Sequence, residues 1–471
     1  MSQNNPYQSI LDSQITFFNS TLKSRSIYER KQTLKRLRSW LKENQDLIRT
    51  ELHKDLKRCD EDLTLSEIRP IVSDIKDALK NLRFWAHPER KKTPLTLIGT
   101  RASTIFEAKG NTLIIAPWNF PFQLAIGPLV SAIAAGCTAV IKPSEHTPYC
   151  EQLIVKLVQE VFQPNEVTVV TGGVQETSDL LALKWNHIFF TGSPQVGKIV
   201  MKAAAEHLTS VTLELGGENP VIVDKKTKLK DTAQKLIWGK YYNCGQSCIS
   251  PNAVFVPTEI SNDFKKALLT EYKKVFGTNE ETKAALTYSR IVNGNHFDRI
   301  STLLEKSVAE GASIIAGGHS DAEQNYIAPT IIENVTTDHA IFKEEIFGPI
   351  LPIYTYSSLD SVIDIINSQE KPLALYIFSK SKSFAKKIIE RTSAGTTVIN
   401  DTTLQFTHPN LPFGGVNNSG IGKSHGEYGY REFSNERAIL KQRRGLTSAK
   451  LIYPPFTKFR KFVVKVITWW I

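Results

Sequence analysis

Apolar residues recur at helical spacing among Lys, Arg and Glu from Ser26 to Lys54, and the first hundred residues read mostly as helix. From Asn111 the pattern changes. Thr112–Ala116, Thr138–Lys142, Val167–Thr171 and His187–Thr191 are short apolar runs rich in β-branched residues, which predicts strands. Between them Phe122–Ala135, Pro148–Phe162 and Gln175–Leu183 are helical in pattern, and strands alternating with helices predict a parallel α/β sheet. A second alternating region runs from Val211 to about Asn400, with strands expected at Pro220–Asp224, Ala253–Val256, Ala374–Ser379 and Thr396–Asn400. Two α/β domains follow, joined near Leu213–Gly217.

At 471 residues the chain is long enough for two or three domains. Gly and Pro are scattered singly, so the domains are expected to interleave. Five cysteines, odd in number and without framework spacing, point to free thiols in a reducing compartment. The start carries no basic stretch followed by an apolar one, so no secretory signal is read and a cytoplasmic protein is expected. The net charge is +11, but eight basic residues and no acidic one lie between Lys441 and Ile471. The excess therefore belongs largely to a tail ending in FVVKVITWWI, which suits a lipid surface better than a nucleic acid; no nucleic-acid partner is expected.

Asn243-Cys244-Gly245-Gln246-Ser247-Cys248 offers two thiols four positions apart. They can be two buried small apolar groups, or one can be a nucleophile. A zinc site is disfavoured, because the spacing is not Cys-x-x-Cys and no second Cys or His pair stands nearby; no metal is expected. A polar loop between the Trp238–Tyr242 helical run and a strand is a place where substrate can reach a thiol. Glu214, in Leu213-Glu214-Leu215-Gly216-Gly217, is either an exposed strand-end carboxylate or one whose apolar setting raises its pKa and fits it to act as a general base.

Ala116-Pro117-Trp118-Asn119-Phe120-Pro121 ends a strand and opens a helix, where parallel sheets place ligand sites. Asn119 there is an amide donor for an oxyanion or an ordinary turn residue. In Thr191-Gly192-Ser193-Pro194-Gln195-Val196-Gly197-Lys198, Ser193 suits a helix cap, Pro194 the first helical position, and the exposed N–H groups a phosphate. It is not Gly-x-Gly-x-x-Gly. Lys142-Pro143-Ser144-Glu145 offers a cation and a carboxylate for ribose hydroxyls.

In this order PWNFP, KPSE, FTGSPQVGK, ELGG, NCGQSC, EEIFGPI and LPFGGVNNSGIG resemble the aldehyde dehydrogenase superfamily across more than three hundred residues. The short amino-terminal region, EKPLALYIFS, SHGEYG and the late YPP resemble its class 3 branch of fatty and aromatic aldehyde dehydrogenases. The resemblance implies an α/β fold: a Rossmann-type cofactor domain over 1–89 and 109–216, an α/β catalytic domain over 217–420, a bridging and oligomerisation element over 90–108 and 421–445, and a tail over 446–471. It implies Cys248 as nucleophile, Asn119 with the Cys248 backbone N–H as oxyanion donors, and Glu214 as the base that hydrolyses the thioester. Asn243 would help position the substrate oxygen. Trp118, Lys142, Glu145, Gly192, Ser193, Gly197, Glu345 and Phe347 would line the cofactor, NAD first and NADP second, since Glu145 would repel an extra phosphate. A homodimer is implied as well.

Departures from the family pattern are Glu218, which puts a second carboxylate beside Glu214; Ser250, Asn252 and Ala253; Gln405 for His; and Asn417 for Gly, Asn being the next best residue for a left-handed turn. From Phe456 to Ile471, Lys458, Lys461 and Lys465 share one helical face. Sixteen helical residues reach about 24 Å, short of the roughly 30 Å hydrocarbon core. A helix lying in the membrane interface, at the inner face of the membrane, is expected, with packing on a dimer partner as the alternative. The expected reaction is NAD(P)-dependent oxidation of an apolar aldehyde, medium- or long-chain or aromatic, to the acid. The competitors are an acylating enzyme that hands the thioester to coenzyme A and a non-catalytic binding protein on the same fold.

Overall fold

The computed structural model describes residues 5–469 except 95–96, 286 and 446. The amino-terminal third is helical, as the spacing predicts, but Ser26–Lys54 is two helices, Ile27–Glu43 and Gln45–Leu56. Ser26 and Glu29 form a reciprocal cap at the start of the first helix, and the Asn44 side chain donates to the Trp40 carbonyl at its end. That local bond competes with continuation of the helix.

Two large sheets follow. The first has the spatial order Gly420–Ile421, Ser210–Leu215, His187–Gly192, Asn111–Ile115, Thr138–Lys142, Val167–Val169, all parallel but for the short antiparallel strand at one edge. Chain order runs outward from Asn111–Ile115 in one direction, then returns to its other side with His187–Gly192. The reversal leaves a crevice at the carboxyl ends of those two strands. Helices Ile27–Glu43, Arg69–Trp85, Gln123–Ala135 and Pro148–Val161 bury one face, and Gln8–Ser20, Val174–Leu181 and Pro194–Ala205 the other. Strands covered on both faces need apolar residues throughout, and Asn111–Ile115 and Thr138–Lys142 are buried along their whole length.

The second sheet has the order Ser313–Ala316, Thr330–Glu333, Ile350–Tyr356, Ala253–Pro257, Pro220–Val223, Ala374–Phe378, Thr396–Ile399. It is parallel except at its Ser313–Ala316 edge. The crossing between the two sheets is the four-residue link from Leu215 to Pro220, which begins within the expected Leu213–Gly217 and runs past it. Glu89–Lys91, Thr100–Ala108 and Ser434–Gln442 make a third, antiparallel sheet with an exposed face. The tail forms a helix over Lys458–Trp469, which begins two residues later than the expected Phe456–Ile471; Trp470 and Ile471 lie outside the described residues. Among the described residues no helix is long and apolar enough to cross a membrane.

Candidate active site

The sequence motifs meet because parallel strands end side by side. Register pairs Ile115 with both Lys142 and Phe190, and Thr191 with Glu214. Residues 116–121, 143–145, 193–198 and 216–219 therefore leave one edge of one sheet, at the crevice of the strand-order reversal.

The segment carrying the two thiols is held in an unusual conformation. After helix Leu229–Tyr241, Asn243, Cys244 and Gly245 take φ values of 48°, 53° and 71° in succession. Left-handed backbone costs a non-glycine residue about 1–2 kcal/mol, so something must hold it. Gln246, fully buried, does so: its side chain donates to the carbonyls of Asn243 (3.1 Å) and Arg290 (3.0 Å) and accepts from the Val292 N–H (3.1 Å). The Cys244 thiol donates to the Ser289 carbonyl at 2.9 Å and is wholly buried. Cys244 is thus a packing residue, whereas Cys248 is only half-buried.

Cys248 is fixed through its backbone. Its carbonyl accepts from Asn219 Nδ2 (2.8 Å), which also reaches the Ser250 carbonyl (3.0 Å), while Asn219 Oδ1 accepts from the Ala374 N–H (2.7 Å). The Ile249 carbonyl accepts from the Tyr376 hydroxyl (2.5 Å), which Gln405 contacts at 3.2 Å. Burial pushes the Cys248 thiol well above its ordinary pKa, and the charges of Glu345 and Glu214 push it further.

Glu214 lies at the end of the Ser210–Leu215 strand, buried, and neither of its side-chain oxygens has a hydrogen-bond partner. Burial pushes its pKa up to about 8, against the opposing influence of Ser424, His425 and Lys423. The apolar-setting reading of this carboxylate is the one observed. Asn119 is buried, and its side-chain amide donates to the Gln246 carbonyl at 3.1 Å. Asn243 Nδ2 donates to the carbonyls of Asn119 (2.9 Å) and Gln246 (3.3 Å), and its Oδ1 is buried without a partner. Asn119, Asn243 and the Cys248 loop are one hydrogen-bonded unit.

The residues expected to line a cofactor gather on the neighbouring wall. Ser193 caps helix Pro194–Ala205, accepting from the Val196 N–H. A Cβ at Gly192 would stand 2.5 Å from the Phe190 ring, and one at Gly197 2.8 Å from Leu215. A Cβ at Gly216 would overlap the Glu345 carboxylate. Glu345 is held up to about 7 by burial, and its Oε1 is buried without a partner. The Thr191 hydroxyl is likewise buried and unpartnered. Phe347, in left-handed backbone (φ 45°), meets Trp118 edge-on at 5.3 Å, with His296 on Trp118 at 4.8 Å. Lys142 is not the exposed partner of a surface pair. It is buried, donates to the Pro143 carbonyl at 2.6 Å, and stands 3.7 Å from the exposed Glu145. A capped helix start, glycines that leave no room for a side chain, and unpartnered buried oxygens together fit a dinucleotide.

Glu218 is a correction. The chain turns through Gly216 and Gly217 toward the second sheet, so Glu218 answers to burial, Gln369 and Glu344, which leave it at about 7; it is not among the groups acting on Glu214. Asn252 holds the Ile346 N–H at 2.9 Å, tying the thiol segment to the Glu345–Phe347 turn, and Asn417 takes the left-handed conformation expected of it (φ 56°). Sequence reading passed over Asn219 and Lys240. Lys240 is fully buried, donates to the Pro251 carbonyl at 2.9 Å, and is pushed down to about 7 by burial, with Glu345 opposing. Its place inside the apolar run Ile237–Tyr241 was the available signal. Among the described residues no group of three or more His, Cys, Asp or Glu could hold a metal ion.

Comparison with known proteins agrees with this geometry. A profile for the "Aldehyde dehydrogenase family" matches residues 15–439. The 4,4'-diaponeurosporen-aldehyde dehydrogenase of Staphylococcus aureus is 41% identical over 444 residues, covering 94% of this chain and 95% of that one. Aldehyde dehydrogenase family 3 member H1 of Arabidopsis thaliana is 42% identical over 419 residues, covering 88% of this chain and 85% of that one. The solved structure of the substrate-bound state of Staphylococcus aureus AldH superposes with a TM-score of 0.93 at 39% identity, covering 98% of this chain and 99% of that one.

Proposed function

Because this chain belongs to the aldehyde dehydrogenase family, an enzyme family that oxidises aldehydes with NAD(P), we propose that it does so through a thioester on Cys248 that Glu214 helps water to hydrolyse. The observation that carries this reading is a buried carboxylate with two unpartnered oxygens acting on the thiol through its charge. Cys248 Sγ, its proton having passed to solvent, bonds to the aldehyde carbon as the carbonyl electron pair moves to oxygen. The Asn119 amide and the Cys248 N–H donate to that oxygen, in a setting where the Asn119 side chain is already fixed. Bound oxidised nicotinamide supplies a hydride acceptor. For hydrolysis Glu214 takes the proton of a water whose oxygen bonds to the acyl carbon, and the C–S bond breaks to release the acid.

Lys142 and Glu145 hold the adenosine ribose, Ser193 and the glycines around it the pyrophosphate, and Glu345, Phe347 and Trp118 the nicotinamide side. NAD is the first cofactor and NADP is accepted. The domain limits we assign are 1–89 with 109–216 for cofactor, 217–420 for catalysis, 90–108 with 421–445 for bridging, and 446–471 for the tail. NAD(P)H formation across aldehydes of varied chain length and aromaticity, with Cys248→Ala as control, tests the scheme; equal rates in the variant and the native chain refute it. Hand-over to coenzyme A would leave Glu214 without a task, and coenzyme A-dependent turnover would reveal it.

For the substrate we favour apolar aldehydes, medium- or long-chain or aromatic, supported by the tail. In helix Lys458–Trp469, Phe459, Phe462, Val466 and Trp469 are exposed along one side, with Lys458, Lys461 and Lys465 beside them. Such a helix favours the inner membrane face, where these aldehydes partition. Flotation with anionic vesicles, comparing the full chain with one ending at Tyr453, decides; equal partition discards the idea. A homodimer is supported by two strands with an unpaired edge, Ser434–Gln442 and Thr396–Ile399. A monomeric mass by light scattering rules it out.

A further inference from the structure

The proton that Glu214 accepts must leave before the next turnover, and its carboxyl group is buried. Behind it lies a connection the reaction scheme does not use. Gly414 packs on Glu214, where a Cβ would stand 3.2 Å from Oε1. Residues 413 and 424 pair as an isolated bridge, which sets Ser424 and His425 beside the segment whose Gly414 packs on Glu214. His425 Nδ1 lies 3.4 Å from Asp74 Oδ2, on helix Arg69–Trp85, with the two side chains 9% and 13% exposed. The imidazole is wedged edge-on between Phe406 (4.6 Å) and Phe413 (5.5 Å).

The backbone there is strained. His425 has φ 70° and ψ 143°, a region that only glycine occupies freely. The adjoining Gly426 has no space for a side chain, because a Cβ would come within 2.5 Å of the Pro409 carbonyl. A non-glycine residue persists in such a conformation only when its surroundings over-determine it, and such residues cluster at working sites.

We propose that His425, backed by Asp74, is the positioning residue that carries the proton from Glu214 out of the site. The inference rests on the reading of Glu214 as general base. The Glu214 carboxyl gives its proton to the imidazole. The imidazolium, its Nδ1 held by Asp74, then gives one proton to solvent. Glu214 returns to the carboxylate and His425 to the neutral imidazole.

The surrounding charges suit this. Acting on Glu214 are Ser424, His425 and Lys423 from the connection and Glu432 from the next helix, and Glu214 in turn acts on the Cys248 thiol. Lys423 is occupied with the carbonyls of Gly414 and Gly415 (2.7 and 3.1 Å), and Glu432 with Thr212 and the Lys423 N–H. Acting on His425 are Asp74 and Glu214, while Asp77 stands beside Gly426. Burial opposes a charge on His425, but Asp74, and after it Glu214, outweigh burial and hold its pKa above the ordinary value.

The test compares His425→Gln, Asp74→Asn and Asp74→Glu with the native full chain in single-turnover and steady-state oxidation. Both His425→Gln and Asp74→Asn are expected to form the acyl-enzyme at the native rate and to lower steady-state kcat about tenfold or more, with KM falling in step so that kcat/KM is unchanged. In His425→Gln the pH midpoint of hydrolysis rises, because a cation near Glu214 is lost, and added imidazole restores turnover. Asp74→Glu keeps the native profile. A native pH profile and kcat in a folded His425→Gln, or a loss that neither imidazole nor Asp74→Glu recovers, overturns the relay. Full turnover by Glu214→Gln would instead sink the general-base reading itself.

Discussion

Replacing Glu214 by Gln preserves size and removes the ability to take a proton. With the carboxyl pushed up to about 8, about one-tenth is ionised at pH 7 and about nine-tenths at pH 9. If hydrolysis needs the carboxylate, its rate in the native enzyme climbs about tenfold over that interval. In Glu214→Gln the climb disappears, and hydrolysis slows by roughly 10²–10⁴-fold, the usual worth of a positioned base. Acylation does not use this group, so the variant makes one NADH per subunit and then stalls with the acyl group on Cys248. Stopped-flow absorbance gives the burst, and intact-mass spectrometry gives the adduct. Hydrolysis at the native rate in the variant, or a flat native rate of hydrolysis from pH 7 to 9, refutes the reasoning.

Three further outcomes follow from the same geometry. Asn119→Ala lowers kcat by about 10²–10³-fold, the usual cost of one oxyanion donor, with little change in NAD affinity by titration calorimetry. Glu145→Gln raises kcat/KM for NADP relative to NAD, since it removes the carboxylate that faces an added phosphate; an unchanged ratio in steady-state kinetics counts against that placement of the ribose. Asn219→Ala unties the Cys248 carbonyl, the Ser250 carbonyl and the Ala374 N–H at once, and lowers unfolding stability in urea by about 1–3 kcal/mol.

The interior strands such as Thr138–Lys142 and Ala374–Phe378 were legible because they are buried on both faces, and all the apolar runs end at turn residues. Thr138–Lys142 begins and ends where the pattern puts it, and Ala374–Ser379 and Thr396–Asn400 are each one residue too long. The helix break at Asn44 was illegible, because the residue continues the spacing and only its own side-chain bond betrays it. The catalytic candidates stood out through residue type and order. Their environment did not. That Glu214 is unpartnered while Glu218, four positions on, belongs to another set of neighbours depends on where the chain turns between sheets. Gln246 holds the thiol segment through residues more than forty positions away, and Asn219 through Ala374; no local pattern records such bonds.

The buried carboxylates also set a condition on stability. Glu214 and Glu345 have folded-state values of about 8 and 7, above the usual carboxylate value near 4.5. Between the two the folded state binds more protons than the unfolded one, so the contribution of these groups is fully present below about pH 4.5 and is lost as pH rises through about 8. Each shift corresponds to a few kcal/mol, and ionising both would set two negative charges against the Cys248 thiol. A thiolate is therefore disfavoured for as long as no positive charge enters the pocket. The same arrangement that raises the thiol would favour a cationic ring beside it, because each buried acid then gains a partner for its charged form. Readiness for chemistry and affinity for an oxidised cofactor are one electrostatic property of the site, and the bonds from Asn219, Gln246 and Tyr376 hold the loop in place.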